Sequence, residues 1–148
     1  MIDETDRKIL NILSTDAKAS LKQLGNACQM SPTAVHLRLK KLEEQKIITG
    51  SKSVIDTYQL GYQTQSFIGI YFNQANIYKK VSQALFDIEE VVECNYTTGN
   101  FSLLVKVVCR DNKHLTEVLS NKIQTIDGVA RTETFICLEQ TFTRDIEL

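Results

Sequence analysis

The sequence has no long hydrophobic segment and no basic leader. No apolar run approaches the roughly 18 uninterrupted residues that a membrane helix needs, and the start, Met1-Ile2-Asp3-Glu4, is acidic where a signal peptide is basic. We therefore expect a cytoplasmic protein with no membrane partner. The 148 residues are 43% hydrophobic and 24% charged, which excludes a disordered or collagen-like chain and fits one ordinary domain or two small ones.

Cysteine and histidine are too scattered for a disulfide framework or a metal centre. The four cysteines lie far apart with no Cys-x-x-Cys spacing, and there are only two histidines. In a cytoplasmic protein we interpret these cysteines as reduced thiols. The sequence also lacks a Gly-x-Ser-x-Gly motif and a phosphate-binding loop, and its carboxylate pairs, Glu43-Glu44 and Glu89-Glu90, are typical of solvated surfaces. We predict no enzyme, no catalytic residue, no metal and no cofactor.

Charge is distributed unevenly along the chain. The net charge is only -1, but residues 18–52 contain seven basic and two acidic residues, so this segment carries +5 and the remainder -6. A basic segment beside an acidic body is typical of a nucleic-acid-binding protein, and it is equally typical of a solvated helical face. Charge alone leaves both interpretations open.

The N-terminal part has the spacing and the caps of three short helices. Residues 3–16 place apolar side chains at helical spacing behind acidic residues that suit the positive end of a helix. Ser20 and Gln23 predict a capping box for a second helix, and Ser31 followed by Pro32 predicts the start of a third. The short connection between them predicts a helix-turn-helix, in which Gly25 permits a close approach of the third helix. An αα-hairpin that only packs is the alternative.

The third helix is the candidate DNA reader. In a helix-turn-helix protein the N-terminal part of this helix enters the major groove. Arg38 suits a bidentate contact with guanine, His36 and Thr33 suit other base edges, and lysines suit phosphates. The predicted DNA-binding residues are Lys22, Ser31, Thr33, Ala34, His36, Leu37, Arg38, Lys40 and Lys41. A solvated helical surface explains the same residues without DNA.

The chain after the third helix changes pattern twice. Residues 47–55 form two β-prone pieces around Gly50-Ser51, which predict a small wing. We divide the chain into a helix-turn-helix domain (1–50), a wing strand and linker (51–62) and a C-terminal domain (63–148). In that domain strand and helix signals alternate as βαββαβ, the ferredoxin-like order, over 66–73, 77–88, 91–98, 101–110, 113–126 and 129–142. The predicted fold class is α+β, a winged helix-turn-helix followed by a ferredoxin-like domain.

Two predicted strands of the C-terminal domain are apolar on both faces. Phe67 to Phe72 and Leu103 to Val108 leave an apolar side of the sheet after helices have covered the other. Burying that side against a second copy across a two-fold axis predicts an obligate dimer. The alternative cover is the linker or wing of the same chain. A two-fold dimer would read a palindromic DNA site whose halves lie about one helical turn, or a multiple, apart.

A second candidate site lies between the two middle strands. Residues 95–102 are rich in small polar side chains, and Gly99 permits main-chain amides to face a ligand. Gln124, Thr125, Asp127, Gly128, Thr132 and Thr134 could lie near it in this fold. Such groups can hold the ammonium and carboxylate of a free amino acid, with Asp127 as charge partner. A plain Asn-Gly-type turn is the alternative.

Motifs in this order resemble the Lrp/AsnC family of transcription regulators over essentially the whole chain. They are Asp3-x-x-Asp6-x-x-Ile9-Leu10, Ser31-Pro32-x-x-Val35-x-x-Arg38-Leu39-x-x-Leu42-Glu43, Ile47-Ile48, Leu60-Gly61-Tyr62, Thr98-Gly99-x-Phe101-x-Leu103, Ile126-Asp127-Gly128-Val129 and Thr132-x-Thr134. Residues 96–102 and 121–127 resemble the asparagine-responsive branch more than the leucine-responsive one. Three positions depart from the family pattern: Gln29 for a turn glycine, Ser102 for an aspartate and Thr57 for a linker proline.

The resemblance implies a function and a set of binding residues. It implies dimers that assemble into tetramers or octamers and bind an amino acid between dimers. Carried over by position, the effector residues are Thr98, Gly99, Asn100, Phe101, Ser102, Gln124, Thr132 and Thr134, to which our own analysis adds Asp127. We predict a sequence-specific regulator of double-stranded DNA whose assembly or DNA affinity responds to an amino acid, asparagine being the first candidate. The alternative is a stand-alone metabolite-binding protein whose helical head contacts other proteins.

Overall fold

The computed structural model describes residues 2–148 and divides into two compact units. The first runs to Val54 and includes Phe142–Leu148, and the second is Ile55–Thr141. This division places most of the predicted linker in the second unit and the last seven residues in the first. The tail joins the first unit because the Asn11 carboxamide accepts from the Leu148 N–H at 2.9 Å and donates to its main-chain oxygen at 3.0 Å.

The first unit is built from three helices: α1 (Glu4–Thr15), α2 (Leu21–Cys28) and α3 (Pro32–Glu44). Both predicted caps are present, since the Ser20 side chain accepts from the Gln23 N–H and the Ser31 side chain from the Ala34 N–H. Asp3 and Asp6 form a further capping box at the start of α1. The apolar faces of the helices meet in a small core that contains the fully buried side chains Ile9, Leu24 and Val35.

The predicted wing contains no strand in the single chain. Residues 49–56 have no regular secondary structure. The N–H groups of Ile47 and Ile48 both donate to the Leu42 carbonyl, so they close α3 instead of pairing with a strand. Val54 is 97% exposed. A β-prone segment with neither a pairing partner nor an apolar face to bury does not form a strand.

The second unit has the predicted βαββαβ order. Its elements are β1 (Thr64–Phe72), α4 (Tyr78–Phe86), β2 (Val91–Tyr96), β3 (Leu103–Cys109), α5 (Asn112–Val118) with a following π-helical turn (Leu119–Ile123), and β4 (Val129–Cys137). The strands form one antiparallel sheet in the order β2-β3-β1-β4, the ferredoxin-like arrangement. The last strand ends at Cys137 rather than Phe142 because Cys137 pairs with Gln65, one residue from the start of β1.

The helices cover one face of this sheet and leave the other without a helix. Ile68 and Ile70 of β1 and Leu103, Val105 and Val107 of β3 are fully buried in a core shared with α4 and α5. Since side chains alternate across a strand, the residues between them lie on the opposite side, which we call the open face. The open face comprises Gln65, Phe67, Gly69, Tyr71, Glu93, Asn95, Leu104, Lys106, Val108, Arg131, Glu133, Phe135 and Cys137.

The open face is apolar in its middle, as the sequence predicts. Phe67, Leu104 and Val108 are half-buried, and Phe135 is 48% exposed. The alternative cover, the linker of the same chain, reaches only the end of the face near Val108 and Cys137. The linker therefore leaves the central apolar part of the open face uncovered.

Candidate functional site

The turn between α2 and α3 is tight and depends on two residues. Gln29 ends α2 in the left-handed conformation with φ 56° and ψ 45°, at the position where the sequence departs from a turn glycine. A Cβ on Gly25 would lie 2.6 Å from the Met30 carbonyl oxygen. Gly25 is therefore needed for a close approach, as predicted, but the group that approaches most closely belongs to the turn rather than to the body of α3.

The outer face of α3 presents a mixed polar and apolar stripe. Thr33, His36, Leu37, Lys40 and Lys41 are exposed, and they lie opposite the buried Val35 and Leu42. Leu37 is 63% exposed although its side chain is large and apolar. We call these five exposed residues the α3 outer face. Lys40 makes only a long contact with Glu44, at 3.9 Å.

The remaining predicted DNA residues differ in their availability. Lys22 is exposed on α2, and like Lys41 it forms no ion pair within residues 2–148. The Ser31 hydroxyl accepts from the Ala34 N–H at 3.2 Å, so it already serves as the helix cap, and Ala34 is half-buried. The α3 outer face and Lys22 are thus the residues that retain groups for a partner.

The Arg38 side chain has partners within the first unit. Its Nη1 donates to Asp3 Oδ2 and to Asp6 Oδ1, each at 2.7 Å. The Asp6 side chain is only 4% exposed, and that of Arg38 is 30% exposed. Hydrogen bonds to the Asp3 carboxylate hold its pKa below its ordinary value. The bond from the Asp6 N–H has the largest effect, and the bond from Arg38 the second largest. Arg38 therefore joins α3 to the start of α1, and we do not include it in the proposed DNA-binding surface.

The connection between β2 and β3 forms a folded loop, which we call the effector loop (Thr97–Ser102). The Thr97 hydroxyl donates to the Phe101 carbonyl at 2.9 Å, and the Thr97 N–H donates to the Ser102 carbonyl at 3.1 Å. The Ser102 N–H donates to the Ile70 carbonyl at 2.9 Å. Thr98, Gly99 and Asn100 are exposed, and Gly99 has φ +121° with open space beside it. The loop is thus fixed at both ends and exposes its polar tip.

The second group of candidate effector residues lies at the same end of the sheet. The Gln124 carboxamide donates to the Thr132 hydroxyl at 3.0 Å. On β1, Ile70 pairs with Thr132 and Ile68 pairs with Thr134. The Ile70 carbonyl also accepts the hydrogen bond from the Ser102 N–H of the effector loop. Thr132 and Thr134 are half-buried on the helix-covered side. The two groups are therefore separated by one strand, about 10 Å across two strand spacings.

Two predicted effector residues have other partners. The Asp127 carboxylate is paired with Lys80 of α4, and this pairing lowers its pKa below the ordinary value. Phe101 turns its ring onto the open face, where it lies over Gly69 and meets the Tyr71 ring edge-on at 6.0 Å between centroids. The Phe101 ring is thus on the opposite side of the sheet from Thr132 and Thr134, so we withdraw it as a ligand contact.

Sequence reasoning missed two clusters of the second unit. Arg131 stacks over the Tyr71 ring at 3.8 Å, and the Tyr71 hydroxyl donates to Glu133 Oε2 at 2.9 Å. At the other end of the sheet the Glu90 carboxylate accepts from Lys122 at 2.7 and 2.8 Å and contacts His114 Nε2 at 3.1 Å. The pairing register of β1 with β4 brings Tyr71, Arg131 and Glu133 together. Residue spacing along the chain does not predict that register.

The described residues form neither a metal-ligand cluster nor a helix of membrane-spanning length. Within residues 2–148 no cluster of three or more histidine, cysteine, aspartate or glutamate side chains is arranged to hold a metal ion. All four cysteines are free thiols. In the same part of the chain, no helix combines the length and the hydrophobicity that a membrane span needs.

Comparison with known proteins identifies the family. The AsnC-type helix-turn-helix domain family matches residues 2–43, and the Lrp/AsnC ligand binding domain family matches residues 65–146. This chain belongs to the Lrp/AsnC family. It is 40% identical over 146 residues to a protein named regulatory protein AsnC from Haemophilus influenzae, covering 99% of this chain and 97% of that protein.

Solved structures agree with the family. The structure of Escherichia coli AsnC superposes with a TM-score of 0.95 at 39% identity, covering 100% of this chain and 99% of that one. The fold is shared with a Neisseria meningitidis regulator described as a complex with L-Met, with a TM-score of 0.93 at 21% identity and 100% and 96% coverage. The protein is a DNA-binding transcription regulator that responds to an amino acid, and this decides against an enzyme and against the stand-alone metabolite-binding protein.

Proposed function

We propose that the regulator is a homodimer, able to form larger assemblies, that binds a palindromic DNA site and responds to asparagine. In this proposal Thr33, His36 and Leu37 of the α3 outer face read bases, its lysines Lys40 and Lys41 bind phosphates together with Lys22, and a second copy covers the open face. The effector contacts are Thr98, Gly99, Asn100, Ser102, Gln124, Thr132 and Thr134. Such a protein would act in the cytoplasm, where its DNA and its amino acid are found.

The exposed Leu37 is the observation that carries the DNA-binding surface. An exposed leucine loses the favourable burial that most leucines have, and here it stands among hydrogen-bonding and basic side chains on one side of α3. Apolar contact with a thymine methyl group, flanked by polar contacts to base edges, requires this combination. His36 and Thr33 supply those polar groups, and the cap at Ser31 fixes the helix end that enters the groove.

DNA binding is tested by selection and by salt dependence. Selection from a pool of random duplexes should enrich a palindrome, and log affinity should fall linearly with log salt. Lys22→Ala and Lys41→Ala should each reduce the salt slope by about 1, while His36→Ala should relax base preference at one position of each half-site. Lys113→Ala, an exposed lysine of α5, is the control. Failure to enrich any sequence, or salt slopes of Lys22→Ala and Lys41→Ala equal to those of the wild type and Lys113→Ala, would contradict the proposed surface.

Dimerisation is tested by sedimentation at low micromolar concentration. The central open face has the apolar character of a two-fold interface, and Phe135 is its most exposed ring. Phe135→Asp should convert the dimer to a monomer because it buries a charge in that interface. Phe86→Asp replaces an 80% exposed phenylalanine of α4, on the other side of the sheet, and should leave the dimer intact. A well-folded wild-type monomer would refute this part of the proposal.

The effector is tested by calorimetry with the twenty amino acids. We expect asparagine to give the largest heat, with its carboxylate and ammonium held by main-chain groups around Gly99 and by the Gln124 and Thr132 side chains. Gly99→Trp should abolish the heat. Gly50→Trp is the matched control, because Gly50 also has a positive φ and open space but lies in the other unit. The absence of heat from all twenty amino acids would remove the effector proposal.

A further inference from the structure

Gly69 stands at the centre of the open face, where a side chain would otherwise cover the sheet. No unusual backbone conformation requires glycine there, since its φ lies outside the left-handed region. Space does require it: a Cβ would lie 2.5 Å from Cδ1 and 2.7 Å from Cγ of Phe101. Cγ and Cδ1 are the ring atoms nearest the Phe101 main chain, so a Cβ at position 69 would displace the whole ring. Gly69 thus forms a seat for the Phe101 ring.

The seated ring is connected to β4 through Tyr71. The Phe101 ring contacts the Tyr71 ring edge-on. The Arg131 guanidinium lies over the Tyr71 ring, 3.8 Å from its centroid, and the Tyr71 hydroxyl donates to Glu133. Arg131 and Glu133 flank Thr132 along β4 and point to the opposite side of the sheet. The contacts among Phe101, Tyr71, Arg131 and Glu133 on the open face therefore connect the effector loop to β4 across β1.

We propose that Phe101 is a positioning residue: seated on Gly69 and held against Tyr71, it fixes the effector loop relative to β4 and joins the loop's conformation to the open face. The use of this device in effector binding rests on the proposed function. A loop that is already ordered loses less conformational entropy when it binds a ligand, so displacing the ring weakens binding without removing any ligand contact. Because the ring forms part of the open face, the same displacement also alters the surface offered to a second copy.

The first test is hydrogen exchange on the full chain without ligand. Gly69→Ala and Phe101→Ala should each raise the exchange rates of the Thr97 and Ser102 amides about tenfold or more, since overpacking and loss of the ring both free the loop. Phe135→Leu changes a phenylalanine of the same face that pairs with Phe67, and it should leave these amides unchanged. Unchanged exchange in Gly69→Ala would overturn the inference whatever the protein binds.

The second test measures effector affinity and looks for coupling between the two positions. By calorimetry with asparagine, Gly69→Ala should weaken binding about tenfold when Phe101 is present and should have no further effect in the Phe101→Ala background. Faster exchange with unchanged affinity, or additive losses, would overturn the positioning role. If the exchange results hold but the wild type gives no heat with any amino acid, the loop anchor stands and the proposed effector function is what fails.

Discussion

Replacing Arg38 by alanine should destabilise the first unit rather than remove a base contact. The substitution leaves the Asp6 carboxylate, 4% exposed, with only the Asp3 N–H at 3.1 Å as a hydrogen-bond donor. Breaking a fully buried ion pair costs about 3–5 kcal/mol, and a lost hydrogen bond to a charged group about 1.5–3 kcal/mol. Arg38 retains 30% exposure and water can reach Asp6 after truncation, so we expect a loss of about 2 kcal/mol.

The assay is urea unfolding of the full chain followed by circular dichroism. In the native structure a single nitrogen of Arg38, Nη1, contacts both carboxylates. Arg38→Lys keeps one nitrogen near them and should recover about half of the lost free energy of unfolding. Lys41→Ala, an exposed neighbour on α3, should stay within about 0.5 kcal/mol of the wild type. In Asp6→Asn, Arg38→Ala should cost clearly less than in the wild type, because no charge is left unpaired.

DNA binding completes this test. We expect Arg38→Ala to weaken binding to all sequences alike, in proportion to the unfolded fraction, and to regain affinity at lower temperature. A variant that keeps wild-type stability but changes its base preference would show that Arg38 reads a base, and the reasoning from the Asp3 and Asp6 contacts would be refuted.

Three further predictions concern stability. Gln29→Gly should stabilise the chain by about 0.5–1 kcal/mol in urea unfolding, because it relieves a left-handed conformation at φ 56°; a loss would contradict this. Burial opposes ionisation of Glu90, but bonds from Lys122 and His114 outweigh it and hold its pKa below 4.5. Wild type should therefore exceed Glu90→Gln in stability at pH 7 and lose that advantage as the pH falls below about 4.5. The buried Ser66 hydroxyl has no partner, so Ser66→Ala should be neutral or stabilising by up to about 1 kcal/mol in thermal unfolding, and a clear loss would reveal a missing hydrogen bond.

Local signals in the sequence predict the elements well because their causes are local. The caps at Ser20 and Ser31 involve residues three positions apart, and the continuous apolar segments of β1 and β3 each mark a strand within a few neighbouring residues. The wing fails for the same reason: β propensity in residues 47–55 is local, but a strand needs a partner that the single chain lacks. The tail joins the first unit through Asn11 and Leu148, which are 137 positions apart, and no pattern along the chain predicts that contact.

The candidate sites show the same limit at the level of single residues. The motif around Arg38 and the motif around Phe101 were both found, but each mixes residues that face a partner with residues that hold them in place. Asp3 is 35 positions from Arg38, and Gly69 is 32 positions from Phe101, so the contact that decides the role is remote in sequence. Sequence therefore predicts that a segment is functional more readily than it predicts which side chain makes contact.

Helical geometry separates Arg38 from the residues of the α3 outer face. At about 100° per residue, Leu37 lies about 40° and Lys40 about 20° from Thr33 around α3, so the three share one side. Arg38 lies about 140° from Thr33, close to the direction of the buried Leu42. A basic residue in that direction has to find its partner inside the domain, because the apolar side of an amphipathic helix offers no route to DNA. Angular position, rather than charge, separates the proposed DNA-reading residues from the residue that ties α3 to α1.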